Sequence, residues 1–523
     1  MKRLFSILFI IPALYSCSLA QVQKKYAELI TEESSRKHLT ILASKEFEGR
    51  GTGQEGGRKA ANYIADHFKS YGLTPIVNGN SYFQPVSLLK IGYNVTSFVL
   101  DQTALENGKD FFVQGDNDFS KFESQEIVFI GYGLQHENYN ELQGTDIKGK
   151  VVLVINEGEP FDKAGNSLLT GTKSKSDWSS SRFKRIQELI KLQPKLILAT
   201  NSQVSDMMDR MKGRLTSGRI ALDNGNNNRM LTQPIPVVNV SEKIADQILS
   251  KANSSITKFK AQASSQVQKS LVINNKLKAE MGVTKDKLDD PNVLGLLEGS
   301  DLKEEVIVLC GHYDHDGILP DGTFFPGADD NGSGTVAILE LARAFAAAKK
   351  EGKGPRRSIL FMGLAAEEKG LLGSKFYVEN PILPLQNTVA CINIDMIGRI
   401  DDKHLNGNHN YLHAIGLDKL SSELQSVTEK ANKDFVGIEL DYSYNDPNEP
   451  MRLYYRSDHY NFAEKGIPSA FFFSGLHPHY HTPEDTVDKI DFLMMVKREK
   501  LIFHTTWEIA NRAKRLVVDS NKK

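Results

Sequence analysis

SILFMGLAAEEKG, residues 358–370, decides how the chain is read. An apolar run with the texture of a buried strand ends in two adjacent glutamates, Glu367 and Glu368. Carboxylates are costly to bury unless they are paired, protonated or bound to a metal. Two of them at the exit of a core strand therefore ask for a chemical reason.

The neighbouring runs repeat the pattern. EVIVLC runs into His312, Tyr313 and Asp314, and VACINI runs into Asp395. Between and around them lie helical stretches such as TVAILELARAFAAAKK. Apolar strands alternating with amphipathic helices predict an α/β domain with a mostly parallel, mixed sheet sandwiched by helices. In such a sheet the carboxyl ends of the strands line the crevice where ligands bind. His312, the glutamate pair and Asp395 would then face one crevice. Two loops add candidates: Asp329 and Asp330 in FPGADDNGSGT, and His481 in HPHYHTPEDT.

Imidazoles and carboxylates in this mixture suit zinc, with manganese or cobalt as substitutes. Four or five ligands with one carboxylate free to bridge would suit two metals about 3.5–4 Å apart. One glutamate would bind metal and its neighbour would move protons. Spacing alone does not say which is which. Each piece also has a plainer reading: a hydrogen-bonded turn residue, a helix-capping Asp-Asp-Asn-Gly, a solvated helix start. The combination, ordered along one α/β domain, favours the metal. His404, His409, His413 and His504 have no matching context and read as surface or core histidines.

The remainder of the chain divides by texture. MKRLFSILFIIPALYSCSLAQ has the basic start, short apolar run and small-residue exit of a secretory signal peptide over residues 1–20. Its apolar run is short for a membrane span, so no transmembrane helix is expected. Ser18 and Ala20 favour ordinary cleavage before Gln21, giving a periplasmic or secreted protein. Leu14-Tyr15-Ser16-Cys17 offers the alternative of a lipoprotein anchored through Cys17. Residues 21–109 form an N-terminal part of the catalytic domain. There EFEGRGTG reads as a loop without a phosphate role, and a helix begins at Gly56. Ala61, Ile64, Phe68 and Tyr71 share one face of that helix, with Gly72 as its stop. Residues 110–270 change to short strands, helices and long polar loops with no ligand cluster, and residues 271–523 carry the chemistry. Cys310 and Cys391 sit inside apolar runs and read as small buried hydrophobes rather than a disulfide framework. A formal charge of −1 gives no basic surface for nucleic acid or anionic membranes.

GHYDHDG, GADDNGSGT, AAEEKGLLGS, NIDMIGR and YHTPEDT together resemble the co-catalytic zinc peptidase family of bacterial secreted aminopeptidases, glutamate carboxypeptidase II and glutaminyl cyclases. The resemblance covers roughly residues 285–515 and also EFEGRGTG with its helix. The middle block is similar, through DIKGKVVLV and PIPVVNVS, to a β-rich α/β protease-associated domain. The resemblance implies a zinc aminopeptidase-like fold and two zinc ions held by His312, Asp330, Glu368, Asp395 and His481, with Asp330 bridging. It implies that Glu367 is the general base and acid, and that Asp314 orients the His312 imidazole. It further implies that Tyr480 bonds the developing oxyanion. YYRSDHYNFAEKGIP is familiar from bacterial relatives, and Arg456, Asp458 and His459 are its candidates for substrate contact. The expected activity is release of N-terminal residues from peptides by metal-activated water. The alternatives are a carboxypeptidase or dipeptidase, a glutaminyl cyclase, and a non-catalytic receptor-like binding protein.

Overall fold

Alternate residues of one buried strand show how the core is built, and that strand is the one ending in the glutamate pair. The structure is a computed structural model describing residues 21–114, 121–211, 215–216, 218–223 and 235–520. The leader, with Cys17, Ser18 and Ala20, lies outside the described residues. The chain falls into two units: one runs to Leu88 and resumes at Leu288, and the other is Leu89–Lys287. These borders fall inside two long strands, Phe83–Leu100 and Leu277–Leu297, so they differ from the changes of texture near residues 110 and 270.

In the first unit, helices α1 (Glu32–Leu42) and α2 (Glu55–Tyr71) precede the sheet. The later elements are β1 (Leu277–Leu297), β2 (Leu302–His312), α3 (Gly334–Lys350), β3 (Arg357–Leu364) and α4 (Leu372–Glu379). They continue with β4 (Thr388–Ile394), β5 (Tyr411–Ile415), α5 (Ser422–Phe435), β6 (Glu439–Asp441), β7 (Ser469–Phe473) and α6 (Phe492–Asn511). The strand order is β1-β3-β2-β4-β7-β5-β6. β3, β2, β4 and β7 are mutually parallel, whereas β1 pairs antiparallel to β3 and β5 antiparallel to β7. The parallel centre is apolar throughout because helices cover both of its faces. Leu360 and Met362 of β3 pack with Tyr377 of α4 and with Phe462 on one face. Phe361, between them, packs on the other face against Phe68 of α2 and Phe345 of α3. Each such side chain contributes about 1.5–3 kcal/mol when fully buried.

α2 ends as expected at Gly72, whose φ of 82° is open to glycine without strain. Tyr71 is half-buried, at the edge of the apolar face. The closing segment is one helix, α6, with Asp491 as its N-cap. Cys310 and Cys391 are buried free thiols, 3.7 Å apart across β2 and β4. Among the described residues, no helix is long and apolar enough to cross a membrane.

The second unit has its own sheet, in the order Leu271–Ile273, Ile127–Phe129, Val151–Ile155, Leu196–Thr200, Val237–Val240, Phe111–Gln114. Its four middle strands are parallel and its two edges antiparallel. Phe111, Leu153, Leu198, Ile248 and Phe259 belong to its apolar core. Wholly buried Arg185 donates to the carbonyls of Ile155, Gly158 and Trp178.

Candidate metal centre

Because β2, β3 and β4 are parallel neighbours, their exits come together. β2 ends at His312, β3 leads through Ala365 and Ala366 to Glu367, and β4 leads to Asp395. Asp330 enters from the loop before α3, and His481 from the segment after β7. His312 Nε2 lies 3.4 Å from Asp395 Oδ1, 3.6 Å from Asp330 Oδ1 and 3.8 Å from Glu367 Oε2. On the other side of Asp330, its Oδ2 is 3.0 Å from His481 Nε2, which is also 3.1 Å from Glu368 Oε2. The two oxygens of Asp330 thus face two separate ligand sets.

The loop bearing Asp330 is latched in several places. Asp485 accepts the backbone N–H groups of Asp329 and Asp330. The Asn331 side chain donates to the Ile394 carbonyl and accepts from Gly334 and Met396, tying the loop to the exit of β4. Gly327 has φ 55°, and a Cβ there would come within 2.5 Å of the His315 ring. Beneath the loop, wholly buried Arg50 donates to the carbonyls of Leu42, Tyr313, Pro326 and Gly327. Burial holds its guanidinium down at about 10, against the pull of Asp485 and Asp330. EFEGRGTG is therefore a clamp on the site, a role its sequence does not announce.

The Asp314 carboxylate lies 3.8 Å from His312 Nδ1, while the Asp314 backbone carbonyl is the hydrogen-bond partner at 3.0 Å. The carboxylate itself accepts from the Glu367 N–H and the Thr52 hydroxyl. It anchors the backbone of Glu367 more directly than the imidazole. His315, passed over in the sequence, is fully buried with Nδ1 3.0 Å from Glu368 Oε1. Its signal was its place in GHYDHDG, three residues after His312. Ser457, from the same YYRSDHYNFAEKGIP segment, donates to Asp395 Oδ2 at 2.8 Å.

A cleft opens beside this cluster, lined by Asp330, Glu367 and Asp395 and by Met396, Leu453, Phe471, Phe473 and Leu476, with Arg456 and Tyr480. Asp458 and His459, also expected at the substrate, are wholly buried and do not line it. His459 stacks on Phe471, and burial holds its imidazole neutral, down at about 3. Burial pushes the Tyr480 phenol up, so its hydroxyl keeps its proton.

The electrostatics are those of crowded, buried carboxylates. Burial, reinforced by Asp395 and Glu368, pushes Glu367 well above the ordinary carboxylate range despite the pull of His312. Burial and Glu368 raise Asp330 to about 6. Burial disfavours charge on His312 too, but Glu367, Asp395 and Asp330 outweigh it and raise the imidazole. Hydrogen bonds to Asp330 and Glu368 likewise overcome burial and raise His481 to about 11. Hydrogen bonds from His315 and His481 outweigh burial at Glu368 and hold it low. Without a cation, the cluster needs protonated imidazoles to offset its carboxylates. His312 Nε2 and Asp395 Oδ1 are buried with no hydrogen-bond partner. Groups that converge without partners around a bridging carboxylate fit divalent metals. Ala366, Met396 and His481 all have φ near +55° and all sit in or beside this cluster. Such conformations cost about 1–3 kcal/mol each and persist where the surroundings over-determine them.

Residues 292–506 match the sequence model of peptidase family M28. The chain is 29% identical over 239 residues to aminopeptidase YwaD of Bacillus subtilis (strain 168), covering 43% of this chain and 46% of that protein. It is 28% identical over 249 residues to a probable leucine aminopeptidase of Arthroderma benhamiae, covering 46% of this chain and 64% of that protein. The matches thus span about half to two thirds of these relatives. Among solved structures, an aminopeptidase from Aneurinibacillus sp. strain AM-1 superposes with a TM-score of 0.58 at 20% identity, covering 96% of this chain and 100% of that one. BSAP, a zinc aminopeptidase from Bacillus subtilis, gives 0.54 at 19% identity over 94% and 97%. Both likenesses establish the mixed-sheet fold and nothing beyond it.

Proposed function

We propose that the protein is an exported zinc aminopeptidase that releases N-terminal residues from short peptides. The observation that carries this is the pair of ligand sets facing the two oxygens of Asp330, with buried Glu367 alongside and an apolar-walled cleft in front. His312 and Asp395 with Asp330 Oδ1 would hold one zinc, and His481 and Glu368 with Asp330 Oδ2 the other. Bound there, the pair supplies Lewis-acid activation of the scissile carbonyl and of water.

The chain's own groups do the rest. Glu367, whose proton affinity burial has raised, takes a proton from the attacking water and returns it to the leaving amine. The Asp314 carboxylate fixes the backbone of Glu367 during this exchange. Tyr480 keeps its hydroxyl proton and donates it in a hydrogen bond to the developing oxyanion. Met396, Leu453, Phe471, Phe473 and Leu476 receive an apolar terminal side chain. The insert, which resembles a protease-associated domain, would favour short peptides over folded ones. The leader would place the enzyme in the periplasm or outside the cell, with lipidation of Cys17 as the alternative.

Arg456 on the cleft favours one second reading, a carboxypeptidase that holds the substrate's terminal carboxylate. One peptide offered with free and with acetylated N-terminus to zinc-loaded protein decides between them by mass spectrometry. Stepwise loss from the free amino end, blocked by acetylation, is expected. Trimming from the carboxyl end, indifferent to acetylation, would replace the first reading by the second.

A further inference from the structure

Away from the catalytic crevice, two imidazoles lie between two carboxylates at the β5–β6 edge of the sheet. His413 of β5 is the register partner of Asp441, the last residue of β6. His404 and Asp401 come from the segment that follows β4. Asp401 Oδ1 is 2.6 Å from His404 Nδ1, and Asp401 Oδ2 is 2.8 Å from His413 Nε2. One carboxylate therefore fixes the orientation of both rings. Tyr411 holds His404 further by stacking on it, with ring centroids 3.5 Å apart.

The far nitrogens of both rings turn toward Asp441. Its Oδ2 lies 3.3 Å from His413 Nδ1 and 3.8 Å from His404 Nε2. The His413 side chain is fully buried, and its Nδ1 makes no hydrogen bond. Asp441 Oδ1 is occupied by the Ser443 N–H, which leaves Oδ2 free to turn inward. Nitrogen and oxygen ligands about 2.0–2.2 Å from one tetrahedral ion stand about 3.3–3.6 Å apart. The 3.3 Å from His413 to Asp441 has that spread, the 3.8 Å from His404 is slightly wider, and the Asp401 side is too tight. The distances at His312 run similarly from 3.4 to 3.8 Å.

We infer that His404 Nε2, His413 Nδ1 and Asp441 Oδ2 form a third divalent-cation site of the zinc class, with Asp401 orienting both imidazoles from behind. A carboxylate bonded to the far nitrogen of a ligand imidazole is the usual support for such a site. His404 and Asp441 are partly exposed, which gives an ion and a completing water a way in. The role is structural. The Asp401 segment is already joined to the end of β7 through Tyr411, whose hydroxyl donates to the Ser474 carbonyl and accepts from the Asp401 N–H. The His413 ring abuts Tyr444, which packs with Met396, Leu453, Phe471 and Phe473. An ion here braces the apolar wall of the cleft from the side away from substrate. Lys403 lies over the Tyr444 ring and is the nearby cation that an ion would join.

The test counts metal rather than turnover. Full-length protein is stripped with a chelator, reloaded with zinc, desalted and analysed for zinc per chain, as wild type, His404→Ala and Asp441→Asn. Each variant should hold about one zinc fewer than wild type. Repeating the subtraction in an Asp330→Ala background, where the catalytic pair is disabled, should give the same difference. Failure of the catalytic reading and failure of this one are thereby distinguished. Asp441→Asn preserves shape and carries the decision if His404→Ala does not fold. Equal zinc in wild type and Asp441→Asn would overturn the site and leave His413 as an imidazolium bridging two carboxylates.

Discussion

The two units of this protein solve the same folding problem and diverge at the ends of their strands. Each has a sheet with four parallel strands in the middle and antiparallel strands at its edges. Each uses a completely buried arginine to gather carbonyls at the ends of its strands and in its loops, Arg50 in the first and Arg185 in the second. In the first unit the strand exits carry His312, Glu367 and Asp395. In the second they carry Asn156, Glu157, Asn201 and Ser241. Glu157 is satisfied locally by Ser202 and Lys260, and Ser241 caps the helix that follows it. Among the described residues, the groups able to hold a metal all lie in the first unit. The lesson is that a parallel-centred sheet supplies a crevice, while the residues at its rim decide whether the crevice does chemistry.

The sharpest way to break this comparison is at matching exits. Glu367→Gln should lower kcat by about 10³-fold with zinc content unchanged, as expected for loss of a proton-transfer group. Glu157→Gln, at the corresponding place in the insert, should leave hydrolysis within about twofold. Loss of zinc from Glu367→Gln would make Glu367 a ligand and reverse the roles of the glutamate pair.

The buried arginines come next. Arg50→Met and Arg185→Met should each destabilise their own unit by about 3 kcal/mol, because several buried carbonyls lose their donors. Arg50→Met alone should also weaken zinc binding, since its partners Tyr313, Pro326 and Gly327 belong to the loops carrying the ligands. The chain has 2 tryptophans, Trp178 in the insert and Trp507 in α6, so single-tryptophan variants report unfolding of each unit separately. Equal weakening of zinc binding by both variants would show that Arg50 is no special clamp.

The same probes test a difference in pH response. Burial lowers His38 to about 4 and His504 to about 3 in the first unit. These groups bind fewer protons folded than unfolded. Their contribution is complete above the ordinary histidine value and is lost as pH falls through it toward 4 and 3. In the insert, burial raises Glu141 to about 8, so it binds more protons folded than unfolded. Its contribution is complete below the ordinary carboxylate range and is lost as pH rises toward 8. Acid should therefore loosen the first unit, and a rise from the ordinary carboxylate range to about pH 8 the insert. Glu141→Gln should abolish this loss, measured as the midpoint of Trp178 unfolding against pH. An unchanged loss would assign it to another group.

The smallest effect is expected at Thr52, whose hydroxyl reaches Glu367 only through Asp314. Thr52→Val should lower kcat by a few-fold, at the weak end of the roughly 10- to 100-fold typical of such supporting contacts. KM should stay unchanged. A rise in KM instead would place Thr52 in substrate binding.

Much of this was legible in the sequence, and for a physical reason. Apolar strands such as SILFMGLAA and VACINI announce a covered parallel sheet, because burial on both faces forbids alternation. Once strand direction is known, exits at His312, Glu367 and Asp395 must share one end. The local pattern around Gly72 likewise determines where α2 stops. What the sequence could not supply was proximity between segments far apart in the chain. Arg50 lies more than 260 residues before the carbonyls of Tyr313 and Pro326, and nothing in GRGTG points to them. His413 and Asp441 look unremarkable until β5 and β6 pair and set them side by side. Asp458 and His459 follow an arginine on the cleft, yet tertiary packing buries both. Periodicity is local and survives in one dimension. Which polar groups are shut away together, and which are left without partners, is decided when the strands pair and the helices close over them.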